Sequence, residues 1–172
     1  MNTMTLGSPV GRLHLAASAA GLTRCTFRPR TRAAQPSDAD PAAHELLDQA
    51  RRELEEYFAG ERREFTVPVD LGRVGQPHRR ILEALAAVPY GATTTYGRLA
   101  AAVGLVEDGP RQVGAAMARN PVAIVLPCHR VLGAGGSLTG YAGGLPAKQR
   151  LLDLEARAET ARPTTAQLTL AW

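Results

Sequence analysis

The strongest constraint on this chain is the run Asn120-Pro121-Val122-Ala123-Ile124-Val125-Leu126-Pro127-Cys128-His129-Arg130. Its apolar residues carry the backbone into the interior, and Pro127 halts regular structure just before a cysteine and a histidine. In a strand, Cys128 and His129 would point to opposite faces. To act together they need an irregular turn, which the preceding proline favours. The thiolate is the reactive form of cysteine, and a neighbouring imidazole or helix N-terminus can lower its pKa from about 8.5 into the physiological range. The competing reading is a buried cysteine acting as a small hydrophobe, with His129 and Arg130 opening a surface loop.

The flanking sequence favours a reactive site. Residues 131–146 hold six glycines, a loop whose backbone can approach a flat ligand closely. Tyr141 is its only aromatic residue, suited to packing on such a ligand. Pro146 is expected to open a helix at its first position, with Leu151, Leu152 and Glu155 on it. Upstream, Pro110 opens a helix over 110–119 in which Arg111, Gly114, Ala115 and Ala118 share one face, while Val113 and Met117 form the core-facing stripe. One arginine beside three minimal side chains suits a helix whose backbone presses against something large. With a helix over 96–103 and a link over 104–109, the segment reads as helix, turn, helix. Glycine and alanine at its exposed positions cannot read base edges in a major groove.

The N-terminal half reads as a small antiparallel sheet plus a helix. Residues 3–6 and 12–17 flank Gly7-Ser8-Pro9-Val10-Gly11, a hairpin signal, and 22–27 forms a third strand. Residues 28–39 are expected to be a mobile loop. Asp40-Pro41 caps a helix with Leu47, Ala50, Leu54, Tyr57 and Phe58 on one stripe, ended by Gly60. Phe65, Val67 and Val69 alternate as a short strand. The expected organisation is an α/β N-terminal domain over 1–70, a linker over 71–76, and a mostly helical C-terminal domain with a helix-turn-helix over 77–172. Residues 156–172 fit no motif.

Composition narrows the classes. The 172 residues and net charge of +4 permit nucleic-acid binding without requiring it. No secretory signal opens the sequence and no apolar run approaches the ~20 residues needed to span a bilayer, so a cytoplasmic location and no membrane partner are expected. The two cysteines differ in setting, which suits a reducing compartment better than a disulfide framework. Cys25, His14, His44 and His78 have no ligand-like spacing, so no metal or cofactor is expected. A thiol protease would normally draw its histidine from elsewhere in the chain.

The motifs together resemble the O6-alkylguanine-DNA alkyltransferase family, the methylated-DNA–protein-cysteine methyltransferases. The resemblance spans roughly 89–155, with a weaker echo in the N-terminal half. It rests on Val88-Pro89-Tyr90-Gly91-Ala92-Thr93-Thr94-Thr95-Tyr96-Gly97-Arg98-Leu99-Ala100, on Arg111-Gln112-Val113-Gly114 with Ala116-Met117, and on Asn120-Pro121. Pro127-Cys128-His129-Arg130, the glycine-rich loop with Tyr141, and Lys148 to Glu155 complete it. The chain departs from the pattern at Pro77-His78 and Ile81-Leu82, where the family shows Phe-Gln and Val-Trp.

The resemblance implies direct repair of double-stranded DNA: Cys128 takes the alkyl group of an O6-alkylguanine irreversibly, once per molecule, after minor-groove binding and base flipping. It implies that a water links Cys128 to His129, that Glu155 orients the imidazole, and that Asn120 holds the turn around the thiol. Tyr96 and Arg111 would extrude the base, Tyr96 also protonating the leaving guanine. Gly97, His78, Gly114, Ala115 and Ala118 would meet DNA, and Tyr141, Ala142, Val131, Met117 and Lys148 would form the substrate pocket. The protein is expected to act as a monomer. Bulkier O6-alkyl groups or O4-alkylthymine stand as alternative substrates. A lesion-binding relative that does no repair would lack the cysteine. On this reading Glu155→Gln should leave the fold nearly unchanged but slow the reaction, since a neutral amide cannot stabilise imidazolium.

Overall fold

The computed structural model describes residues 2–29 and 40–160; the expected loop over 28–39 therefore lies almost wholly outside them, as does most of the tail. Strands β1 (Asn2–Ser8) and β2 (Gly11–Ser18) form the expected hairpin, and β3 (Gly21–Thr26) adds antiparallel to β2 in the order β1-β2-β3. Leu13, Leu15 and Ala17 alternate along β2 and are buried, the period-2 pattern of a sheet with one covered face. The cover is α1 (Pro41–Phe58), whose cap is Asp40 accepting from the Ala42 N–H. An extended N-cap with proline in the first turn is a favourable helix start. Leu47, Ala50, Leu54 and Tyr57 lie buried along its inner stripe.

The strand expected over Phe65, Val67 and Val69 does not form a ladder. The N–H groups of Thr66 and Val67 donate instead to the buried Glu53 carboxylate, at 2.8 and 3.1 Å. A charge-assisted bond of this kind outcompetes a neutral ladder bond. Only Val69 reaches the sheet, through a single parallel bridge to Leu22. A second bridge joins Cys25 to Val122: the Cys25 N–H donates to Pro121 O at 2.8 Å and the Ala123 N–H to Cys25 O at 2.9 Å. The outer edge of β3 is thus covered by the segment that leads to Cys128.

In the C-terminal half, α2 (His78–Ala86), α3 (Tyr96–Ala102) and α4 (Gly109–Ala118) pack together through Leu82, Leu85, Leu99, Val113 and Ala116. Thr95 caps α3 by accepting from the Arg98 N–H at 3.2 Å. The sequence reading missed β4 (Thr94–Thr95) and β5 (Val131–Leu132), which pair in parallel. This short pairing holds the start of α3 beside the residues that follow Cys128. Helix α5 (Leu145–Thr160) begins one residue before the expected Pro146. One hydrophobic core runs through both halves, from Leu13 and Tyr57 to Leu82 and Leu151. No helix among the described residues is long and apolar enough to cross a membrane.

Candidate active site

The apolar run before Cys128 folds back on itself. Leu126 N–H donates to Val122 O at 2.9 Å, and Ile124 sits at φ 75°, a left-handed conformation costly for a β-branched residue. Asn120 supplies the compensation: its Oδ1 accepts from Val122 N–H at 3.0 Å and its Nδ2 donates to Leu126 O at 2.9 Å. Cys128 to Arg130 then form a single 3-10 turn, the irregular turn expected after Pro127.

Cys128 is buried at the floor of a cavity of about 780 Å³ whose walls include Tyr96, Gly97, Arg111, Gly114, Met117 and Ala118 on one side and Thr139 to Ala142 on the other. Burial pushes the Cys128 thiol up, against the opposing pull of the Asn120 amide, Lys148 and nearby backbone N–H groups. The sulfur at rest is therefore a thiol rather than a thiolate of lowered pKa, because desolvation outweighs its neighbours. Cys25, also buried, is pushed up to about 12 by desolvation and then by Cys128.

His129 is fully buried and its Nε2 lies 2.7 Å from Glu155 Oε1. Its Nδ1 is buried without a hydrogen-bond partner among the described residues. If Nε2 carries the proton, as a carboxylate partner requires, Nδ1 presents a lone pair. Burial lowers the His129 pKa, with Glu155 pulling the other way.

Glu155 is the hub. Arg130 Nε donates to Oε2 at 2.9 Å and Nη2 to Oε1 at 2.9 Å, Gly91 N–H donates to Oε2 at 3.1 Å, and the Tyr57 hydroxyl donates to Oε1 at 2.7 Å. Burial opposes the charge, but the bonds from His129 and Arg130 outweigh it and hold the carboxyl down to about 2. Arg130 also donates to Val88 O at 2.6 Å, so the Val88-Pro89-Tyr90-Gly91 motif serves this hub. The sequence reading missed Tyr57, Arg130 and Gly91 here; the one available signal was an arginine beside a buried Cys-His pair, which needs a counter-charge.

The remaining predicted residues divide between the cavity and its supports. Tyr141 and Ala142 line the cavity, and Phe27 packs edge-on against the Tyr141 ring with centroids 5.5 Å apart. Arg111 stands exposed at the cavity rim, 3.7 Å from Asp108, and Ala115 is exposed on the same helix face. Val131 and Lys148 lie behind the wall: Lys148 Nζ donates to Val131 O at 2.6 Å and Thr139 O at 3.1 Å, clamping the glycine-rich loop. The His78 ring lies 3.0 Å from Ala116 O, joining α2 to α4.

The fold and site define a class: a buried thiol at the floor of an open cavity, backed by a carboxylate-held imidazole and flanked by two short helices. Two family models match the chain, the ribonuclease-like domain of 6-O-methylguanine DNA methyltransferase over 2–71 and its DNA binding domain over 76–157. A methylated-DNA–protein-cysteine methyltransferase of Mycobacterium tuberculosis is 43% identical over 155 residues, covering 88% of this chain and 90% of the relative. One from Methanosarcina acetivorans is 42% identical over 149 residues, 86% and 94% of the two chains. The solved structure of M. tuberculosis OGT in complex with DNA matches with a TM-score of 0.76 at 41% identity, covering 90% of this chain and 92% of that one. The chain belongs to the methylated-DNA–protein-cysteine methyltransferase family.

Proposed function

We propose that the protein repairs O6-alkylguanine in duplex DNA by flipping the base into the cavity and transferring its alkyl group to Cys128. The observation that carries this reading is the placement of a buried thiol between an open, largely apolar cavity and an imidazole whose free nitrogen has no partner among the described residues. Helices α3 and α4 act as a helix-turn-helix that enters the minor groove, with Gly114, Ala115 and Ala118 allowing close approach and contacts that are mainly to phosphate. The organisation into units over 1–70 and 77–172 joined at 71–76, and action as a monomer, belong to the same reading.

The Cys128 proton passes through a water to His129 Nδ1. The sulfur then forms its bond to the alkyl carbon as the carbon–O6 bond breaks, and the electron pair leaves with guanine. Tyr96, whose oxygen accepts from the Thr139 hydroxyl at 2.9 Å, gives a proton to the departing ring and regains one from imidazolium through solvent. Glu155 stays ionised throughout and stabilises that imidazolium, the logic of a catalytic triad with a water inserted. A thioether has no easy exit, so each molecule reacts once.

Arg111 at the rim fills the gap in the stack and holds the orphaned partner base. Arg111→Ala should slow repair of an O6-methylguanine duplex by at least about tenfold while sparing reaction with free O6-benzylguanine, because only the duplex requires a base to be held out. Equal losses on both substrates would assign Arg111 to the fold.

A second reading, preference for bulkier adducts, draws on the cavity volume of about 780 Å³ and the small Gly140 and Ala142 on its wall. Single-turnover rates over a size series of O6-alkyl duplexes, with O4-methylthymine beside them, decide it. Rates that fall steeply beyond methyl would exclude it.

A further inference from the structure

Tyr57 belongs to the N-terminal half, 98 positions before Glu155, and its ring is fully buried among Phe58, Phe65 and Tyr90. A buried phenol in such a cluster needs one hydrogen-bond partner. Here that partner is the oxygen of Glu155 that also receives His129, with the Tyr57 oxygen 3.5 Å from His129 Nε2. The carboxylate is an acceptor only, so Tyr57 is the donor. It therefore competes with imidazole for the same oxygen.

We propose that Tyr57 is a positioning residue for alkyl transfer: its hydroxyl fixes the rotation of the Glu155 carboxylate and weakens its pull on the His129 proton, so that imidazole stays neutral in mildly acidic solution. This rests on the reading of His129 as the base for Cys128. Among the described residues, the charged and titratable groups facing His129 are Glu155 and Lys148 from α5, Arg130 and Cys128 from its own turn, and Tyr57 from α1. Burial first, then Arg130 and Lys148, disfavour imidazolium and Glu155 favours it; Tyr57 limits the latter. Removing its hydroxyl leaves Oε1 with one donor fewer, a stronger acceptor for His129, and a more stable imidazolium. Since the reactive form is neutral imidazole, the acid limb of the rate profile must move to higher pH.

The test is the pH dependence of single-turnover alkylation of Cys128 by O6-benzylguanine in the full chain, with Leu54→Ala as a destabilised control from the same helix. The wild-type limb should lie below the ordinary histidine value of about 6.5. Tyr57→Phe, which removes one oxygen and keeps the ring, should move it upward by ~0.5 unit or more, whereas Leu54→Ala should lower the melting temperature and leave the limb in place. A limb that is unmoved or moved downward in Tyr57→Phe, or moved equally in Leu54→Ala, overturns the proposal. If wild-type protein carries no adduct on Cys128, the underlying assignment of the nucleophile fails instead, and peptide mapping of the wild type separates the two failures.

Discussion

Cys128→Ser will reduce alkyl transfer to the uncatalysed background while leaving duplex binding unchanged. The hydroxyl fits the same buried turn, but His129 is too weak a base to draw a proton from an alcohol with so high a pKa, and the oxygen is a poorer nucleophile toward carbon. On the proposed docking mode the phosphate contacts lie elsewhere, on α3 and α4. Intact-mass measurement after reaction with O6-methylguanine duplex should show one added CH2 per wild-type chain, mapped to the peptide holding Cys128, and none in the variant. Transfer by the serine variant, continued turnover in excess substrate, or an adduct only on Cys25 would overturn the assignment.

Glu155→Gln will slow the reaction, as the sequence suggests, and will also cost stability, which the sequence does not suggest. Arg130 is buried and its guanidinium rests on Glu155 Oε1 and Oε2. Removing the charge leaves a buried cation without its counter-ion, a loss of about 3–5 kcal/mol, which corresponds to a melting temperature lower by roughly 10 °C. The pH dependence carries a second signature. The Glu155 pKa is held down to about 2 in the fold, so its stabilisation is fully present above the unfolded value near ~4.3 and is lost as pH falls from there through about 2. The variant should show a shallower decline in stability across that window, measured by denaturant melts. A variant as stable as wild type would mean that Arg130 finds another partner.

Sequence patterning reveals those parts of the fold that depend on local chemistry. The Asp40-Pro41 cap and the stripe through Leu47 and Leu54 read correctly because capping and period-3.6 burial act within a few residues. The same stripe hid Tyr57, since an aromatic on a core face gives no sign that its hydroxyl meets a carboxylate 98 positions on. The alternation of Phe65, Val67 and Val69 suggested a ladder, but the competing acceptor was the Glu53 carboxylate on α1. At the site, the Cys-His turn was legible from Pro127. The state of the thiol was not, because burial is a property of the assembled interior. The two-residue pairing of β4 with β5 is too short to leave a pattern at all.

The edge of β3 has a dynamic consequence. Because the Cys25 and Ala123 amides bond between the sheet and the loop before the nucleophile, those two protons are expected to exchange together in a hydrogen-exchange measurement. This bridge ties the N-terminal sheet to the segment before the reactive turn, so loosening of one is expected to be felt in the other. A methyl on Cys128 would crowd the turn that Asn120 closes, so reacted protein is expected to lose protection as far away as β3. Limited proteolysis of reacted and unreacted protein checks this: faster cleavage in the N-terminal half of the reacted protein is the expected outcome.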